Sequence, residues 1–343
     1  MHAAPTAVLG TPAHGAIQDP LGEFSKHRRY NRPIAMALHA DPWTTDIGRA
    51  IANCAGRLQL DVALEDDHLG PPQLRGAHLC NRRLCPFCEW RRTRAWRARL
   101  IRGLDAFMED HRNWSAVFLT LTVRNCQVSE LRDTVRHLHA SYKRLTKISG
   151  FPTEAWLRRT EVTVNRGTPQ EACLTPKELT TELLPLGSGP VVSVHPHLHC
   201  LLLVRPSYWS RDYKKQLWWQ QQWQMAARLD YVPVVDVRRA KAKPGHESHV
   251  SVAPVAAVIE AAKYASKATD LLALGDALPA FHHEMRGLRL YGVSKALQQY
   301  VSAADPQGDD LLDTSTVQET LERPCLSAVA QWFDEAQEYR FVI

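Results

Sequence analysis

The run VVSVHPHLHCLLLV, residues 191 to 204, alternates with period two. Val192, Val194, Pro196, Leu198, Cys200, Leu202 and Val204 fall on one face of a strand, an unbroken apolar set, while His195, His197 and His199 fall on the other. The same period runs through AVFLTLTVRN, where Val117, Leu119, Leu121 and Val123 alternate with Phe118, Thr120, Thr122 and Arg124. It returns in LRRTEVTVN, with Val162 and Val164 opposite Glu161 and Thr163. Strands are therefore predicted at 117–124, 159–165 and 191–204, in one sheet with helices on its apolar face and its polar face open. Helical patterns cover about 129 to 147, WSRDYKKQLWWQQQWQMAARLD and PVAAVIEAAKYASKATDLLAL, and YVPVVDVRRAK reads as a further strand. Upstream, WRRTRAWRARLIRGLDAFMEDH places Trp96, Leu100, Leu104 and Phe107 on one helical stripe. The class this predicts is α+β.

At 343 residues, 45% of them hydrophobic, the chain is long enough for two domains. Residues 1–45, rich in Ala, Pro, Gly and His without a sustained period, predict a flexible basic arm around KHRRYNR. Residues 46–112 hold a cysteine cluster and an Arg-rich helix, 113–304 hold the sheet, and 305–343 read as an acidic tail or a small appended helix. The net charge is +6 overall but −6 over residues 306 to 343, which leaves +12 on the rest. Concentrated positive charge suits a polyanionic partner.

Of the eight cysteines, Cys80, Cys85 and Cys88 crowd into CNRRLCPFC, with Cys54 upstream and His78 as a substitute fourth ligand. MHAAPTAVLGTPAHGAIQDP lacks the pattern of a secretory signal, so a reduced, cytoplasmic setting is expected, in which clustered thiols read first as metal ligands. Four thiolates make a closed site for a structural Zn2+. Around it, Arg82, Arg83, Arg91, Arg92, Arg94 and Arg97 interleave with Trp90 and Trp96; guanidinium forks suit phosphates and aromatic rings suit unstacked bases, so DNA is the favoured ligand. No run reaches the ~20 apolar residues of a membrane span.

If the strands bearing Glu161 and the histidines are neighbours, Glu161, His197 and His199 can share one cation with coordination positions left open, as a catalytic metal requires. In VIEAAKYASKATD, Glu260, Tyr264 and Lys267 are spaced i, i+4, i+7 and share a helical face. Alone, such a tyrosine is more often a surface residue than a nucleophile. A nearby lysine or metal favours its phenolate.

Taken in order, C…AHLCNRRLCPFCEWRR, FLTLTVRN, EVTVN, HPHLHCLLLV, YVPVVDVRRAK and EAAKYASK resemble the rolling-circle plasmid replication initiators of the HUH endonuclease superfamily, single-tyrosine class. The resemblance runs from about Cys54 to about Val301. It implies an HUH-type central antiparallel sheet flanked by helices, carrying Mg2+ or Mn2+ on His197 and His199 with Glu161 as third ligand. It also implies that Tyr264 attacks the plasmid origin DNA to leave a 5′-phosphotyrosine and a free 3′-OH, that Glu260 activates water for termination, and that Lys267 steadies the charge. Host helicase and polymerase are the partners it implies, in a bacterial cytoplasm. His195 is read as a neighbour of the metal ligands or a DNA contact. The alternatives are an HUH single-strand transposase, disfavoured by Ala268 where a second tyrosine would stand, and a non-catalytic zinc DNA-binding regulator.

Overall fold

The computed structural model describes residues 21–65, 68–70, 72–167, 191–240, 266–303 and 325–342. The fold is mixed α+β, with two antiparallel sheets flanked by helices. The larger sheet contains β4 (Ser115–Thr122), β5 (Cys126–Gln127), β6 (Ala155–Gly167), β7 (Val191–Val204), β8 (Val235–Arg239) and β9 (Tyr291–Val293). Its order is β8-β4-β7-β6-β9, with β5 on the far end of β7. β7 takes the centre because it is apolar enough to be covered on both sides, and residues 193–204 are all buried.

One face packs under α5 (Leu131–Leu145) and α7 (Gln216–Ala227). Leu119, Leu121, Leu198, Cys200 and Leu202 of the sheet meet Leu138, Tyr142, Leu145, Trp219 and Trp223 of the helices. Each such burial contributes roughly 1.5–3 kcal/mol. The histidine face, expected to be open, is covered at one end. There Phe118, Leu157, Leu201 and Leu203 lie under Leu100, Leu104 and Phe107 of α4 (Pro86–Asp110) and under Leu297 and Val301 of α10 (Lys295–Ala303). A Cβ on Gly103 would come within 2.9 Å of the Val301 backbone, so a glycine is what lets α4 and α10 approach. The alternation of β7 is thus half polar and half apolar on its second face: histidines to 199, leucines after.

The smaller sheet, β11-β10-β1-β2 with β3 also on β1, joins β1 (Arg57–Glu65), β2 (His68–Leu69) and β3 (Gln73–Ala77) to β10 (Cys325–Phe333) and β11 (Glu338–Val342). Two expectations are corrected here. From Gly22 the supposed flexible arm is helical, as α1 (Gly22–Arg28) and α2 (Asn31–His39), followed by α3 (Thr45–Ala52). Phe24, Ile34, Leu38 and Ile51 supply its core, and the buried Asn31 amide donates to the Ile51 carbonyl at 3.0 Å. The acidic tail ends in the β10–β11 hairpin rather than trailing away. Ala330, Trp332 and Tyr339 are buried, the Tyr339 hydroxyl donates to the Ala55 carbonyl, and Arg28 lies over the Trp332 ring at 5.2 Å. Counting charge over the tail obscured the period-two pattern of this hairpin, whose acids, Asp334, Glu335 and Glu338, sit in and beside its turn.

The expected helix 209–230 is broken into α6 (Ser207–Ser210) and α7, and the expected helix 254–274 is described only as α8 (Ala268–Ala273). α9 (Leu278–Met285) follows it.

Candidate functional site

β6 and β7 are neighbours in a register that sets Glu161 directly opposite His197 and Arg159 opposite His199, while β4 sets Thr122 and Thr120 on their other side. This register brings three donors together. His199 Nε2 lies 2.9 Å from Glu161 Oε2 and 3.1 Å from His197 Nε2, and His197 Nε2 lies 3.8 Å from the same carboxylate oxygen. All three residues are buried, Glu161 at 7% exposure, His197 at 8% and His199 at 9%.

The other ring nitrogens explain why these point inward. His197 Nδ1–H donates to the His195 carbonyl at 3.1 Å, which leaves Nε2 as a lone pair, and His199 Nδ1 sits 3.2 Å from Thr120 Oγ1. Burial, then the neighbouring His199 and His195, lowers the His197 pKa to about 4, so its ring is neutral at pH 7. Burial pushes the Glu161 carboxyl up, but the hydrogen bond from His199 and the neighbouring His197, His199 and Arg159 outweigh it and hold the group below its ordinary range. Two imidazole edges 3.1 Å apart beside an ionised carboxylate fit one shared divalent cation: donors at the usual 2.0–2.2 Å from an ion lie roughly 3–4 Å from each other. Among the described residues this trio and the cysteine cluster are the two groups with metal-ligand geometry.

His195 is different. Its Nε2–H donates to the Val123 carbonyl at 3.1 Å, its ring stacks on His197 at 5.1 Å, and it stands outside the trio. It ties the end of β4 to β7. Sequence reading missed two neighbours, Thr120 and the fully buried Arg159, whose guanidinium lies 4.8 Å from the Tyr291 ring centre. Both sit at polar positions of alternating strands, a signal that identifies the face but not the partner.

Glu260 and Tyr264 lie outside the described residues. Lys267 is described, and here the single-face expectation is corrected: its backbone is extended (φ −71°, ψ 151°) and it caps α8, so the helical spacing does not carry through it. It is exposed, yet it lines the same cavity as Glu161.

The four cysteines come together from loop and helix start. Cys54 follows α3 just before Ala55, which has φ 56°, Cys80 precedes Asn81, with φ 52°, and Cys85 and Cys88 open α4. Cys54 and Cys88 sulfurs are 3.4 Å apart, Cys80 and Cys88 3.8 Å, and all four lie within 4.8 Å of one another. Sulfurs bound tetrahedrally at about 2.3 Å would be about 3.8 Å apart, so this donor set fits zinc. Their mutual hydrogen bonds hold the Cys88 thiol well below its ordinary range. His78 is not in the group; its carbonyl accepts from Ala55 N at 2.7 Å.

The arginines divide. Arg82 and Arg94 are exposed, Arg94 over the Trp90 ring at 5.4 Å, and Arg97 is half-buried. Arg83 donates to the Met285 and Leu288 carbonyls at 2.8 and 2.9 Å, Arg92 to the Arg82 carbonyl at 2.7 Å, and Arg91 is buried.

A family model described as "Replication protein" matches residues 72–340 of this chain, a span that takes in both the cysteine helix and the Glu-His-His face. The chain belongs to that replication-protein family. It is 29% identical to a "Protein rep" of Bacillus amyloliquefaciens over 92% of both chains. It is 30% identical to a "Protein rep" of a Bacillus species over 79% of this chain and 86% of the relative, and 28% identical to one of Streptococcus pneumoniae over 84% and 82%. No solved structure matches. The Rep assignment bears out the resemblance to plasmid replication initiators. No described helix is long and apolar enough to cross a membrane.

Proposed function

We propose that this Rep protein nicks one strand of its plasmid origin DNA by transesterification on a fold of HUH type. The observation that carries the reading is the convergence of Glu161, His197 and His199 on one sheet face of a replication protein. A Mg2+ or Mn2+ ion held by these three side chains would polarise a phosphate oxygen and offset charge developing at phosphorus. Tyr264 supplies the nucleophile: its phenolate oxygen bonds to phosphorus, the bond from phosphorus to the 3′ oxygen breaks, and a 5′-phosphotyrosine and a free 3′-OH result. An ordinary tyrosine pKa is about 10, so a cation near the phenol is needed; Lys267, in the wall of the cavity that Glu161 also lines, is that candidate. The bond energy is kept in the ester, which lets a later strand reverse the step. Glu260, four residues before Tyr264 in sequence, takes a proton from water in the terminating cleavage. The 3′-OH then serves a host polymerase, with a host helicase opening the duplex.

The cysteine cluster holds a structural Zn2+ in this reading and fixes the start of α4, so that Arg82, Arg94 and Arg97 face the DNA backbone. The test is an adduct assay on origin DNA with Mn2+. Wild type forms a covalent protein–DNA species at a 5′ end and Tyr264→Phe forms none; an adduct that persists in the variant overturns the nucleophile. Glu260→Ala is expected to nick but to stay attached after one turnover, and normal release would remove its role.

A further inference from the structure

A cavity of about 420 Å³ separates the helices around the cysteine cluster from the Glu161 end of the large sheet. That is a size suited to a small organic group. Tyr30, Leu84, Pro86, Leu271 and Met285 give it apolar walls from four separate parts of the chain. Arg83 belongs to the wall, since two of its nitrogens are held by the Met285 and Leu288 carbonyls.

Its charges are sorted by depth. Lys26, 63% exposed, and the exposed Lys267 stand at the rim, whereas the Glu89 side chain is only 16% exposed. A phosphate seated deep inside would meet Glu89 and Glu161, so the rim is the place for a phosphate and the interior suits something apolar, flat and hydrogen-bond donating. Glu89 has Arg92 as an ion partner at 3.5 Å and, as a two-oxygen acceptor, keeps further acceptor sites. A nucleobase bearing an exocyclic amino group meets each demand: its face for Tyr30 and the aliphatic wall, its amino edge for a carboxylate, its phosphates for the lysines.

We infer that this cavity binds one unstacked base of the origin strand next to the phosphate that is cut, with Tyr30 against its face and Glu89 accepting from its amino group. Thymine, which has no amino group, is disfavoured there. The inference rests on the nicking reading for its ligand, because Glu161 joins the cavity to the proposed metal trio.

The test incubates the full chain with a randomised single-stranded oligonucleotide pool and sequences the bound fraction. In wild type, one position of the enriched motif excludes thymine by about tenfold; Glu89→Gln levels that position alone and Glu89→Asp retains the bias. Tyr30→Ala weakens binding of the pool about tenfold, in the range of one lost base stack, whereas Tyr30→Phe does not. An unaltered motif in Glu89→Gln together with unaltered affinity in Tyr30→Ala overturns the pocket, as does a wild-type motif with no thymine-excluding position. The Mn2+ adduct assay on the same protein separates the two readings: adduct without base bias removes the pocket, and base bias without adduct removes the nicking.

Discussion

The two ligand clusters are built from opposite kinds of backbone. The cysteines sit on irregular chain, beside left-handed Ala55 and Asn81 and on the first turn of α4, and four of them close around one point. Glu161, His197 and His199 sit on neighbouring strands whose register alone sets their spacing, and they number three. Loops that would have no fixed shape need a ligand to hold them, whereas a hydrogen-bonded sheet holds its side chains ready before any ligand arrives. A closed set of four thiols suits an ion that stabilises, whereas three donors would leave coordination positions for chemistry.

The comparison is broken most decisively by stripping the thiol site. Cys88→Ser, or a zinc chelator, is expected to remove one zinc per chain by elemental analysis and to unfold the N-terminal half, since structural zinc sites contribute on the order of 10 kcal/mol to folding. An unchanged melting curve would refute a structural role. His199→Ala is expected to do the reverse: zinc content and melting temperature stay near wild type while Mn2+-dependent adduct formation falls below detection. Coincident loss of fold would show that the sheet site, too, is structural. Thr120→Val sharpens the point further. Removing the group that faces His199 Nδ1 should weaken Mn2+ binding about 10–100-fold by titration calorimetry, with Thr120→Ser near wild type.

The smallest effect expected is on acid stability. Burial lowers His139 to about 3 and His27 to about 4. The unfolded chain, with histidines near 6.5, therefore binds more protons than the folded one between those values and pH 6.5. Their contribution to stability is complete above pH 6.5 and is lost as pH falls toward 3–4, so the melting temperature should decline over that window. His139→Gln should flatten the decline, and an unchanged slope would exclude His139 as its source.

Much of the site was legible from period two alone. Alternation put His197, His199 and Glu161 on like faces, and clustered thiols identified the cysteine group. The part that was not legible depended on partners distant in sequence. Arg83 looks like a phosphate ligand in a basic run, but its nitrogens meet carbonyls about two hundred residues away. Residues 22–52 lack a long period because they form three short helices, of which α1 buries itself against β11 at the other end of the chain while α2 and α3 pack on each other. Lys267 was placed on a helical face by spacing, and an extended backbone at its own position takes it off that face.

The sequence by itself determined the strands, the two sets of ligand-type side chains and the family, because each depends on local alternation or on short motifs. Only the tertiary structure decided which strands are neighbours, hence that Glu161 faces His197, and which of three equivalent histidines differs. His195 shares the period of the other two, and the Val123 carbonyl, brought to it where β4 ends, draws its ring nitrogen away from the cluster.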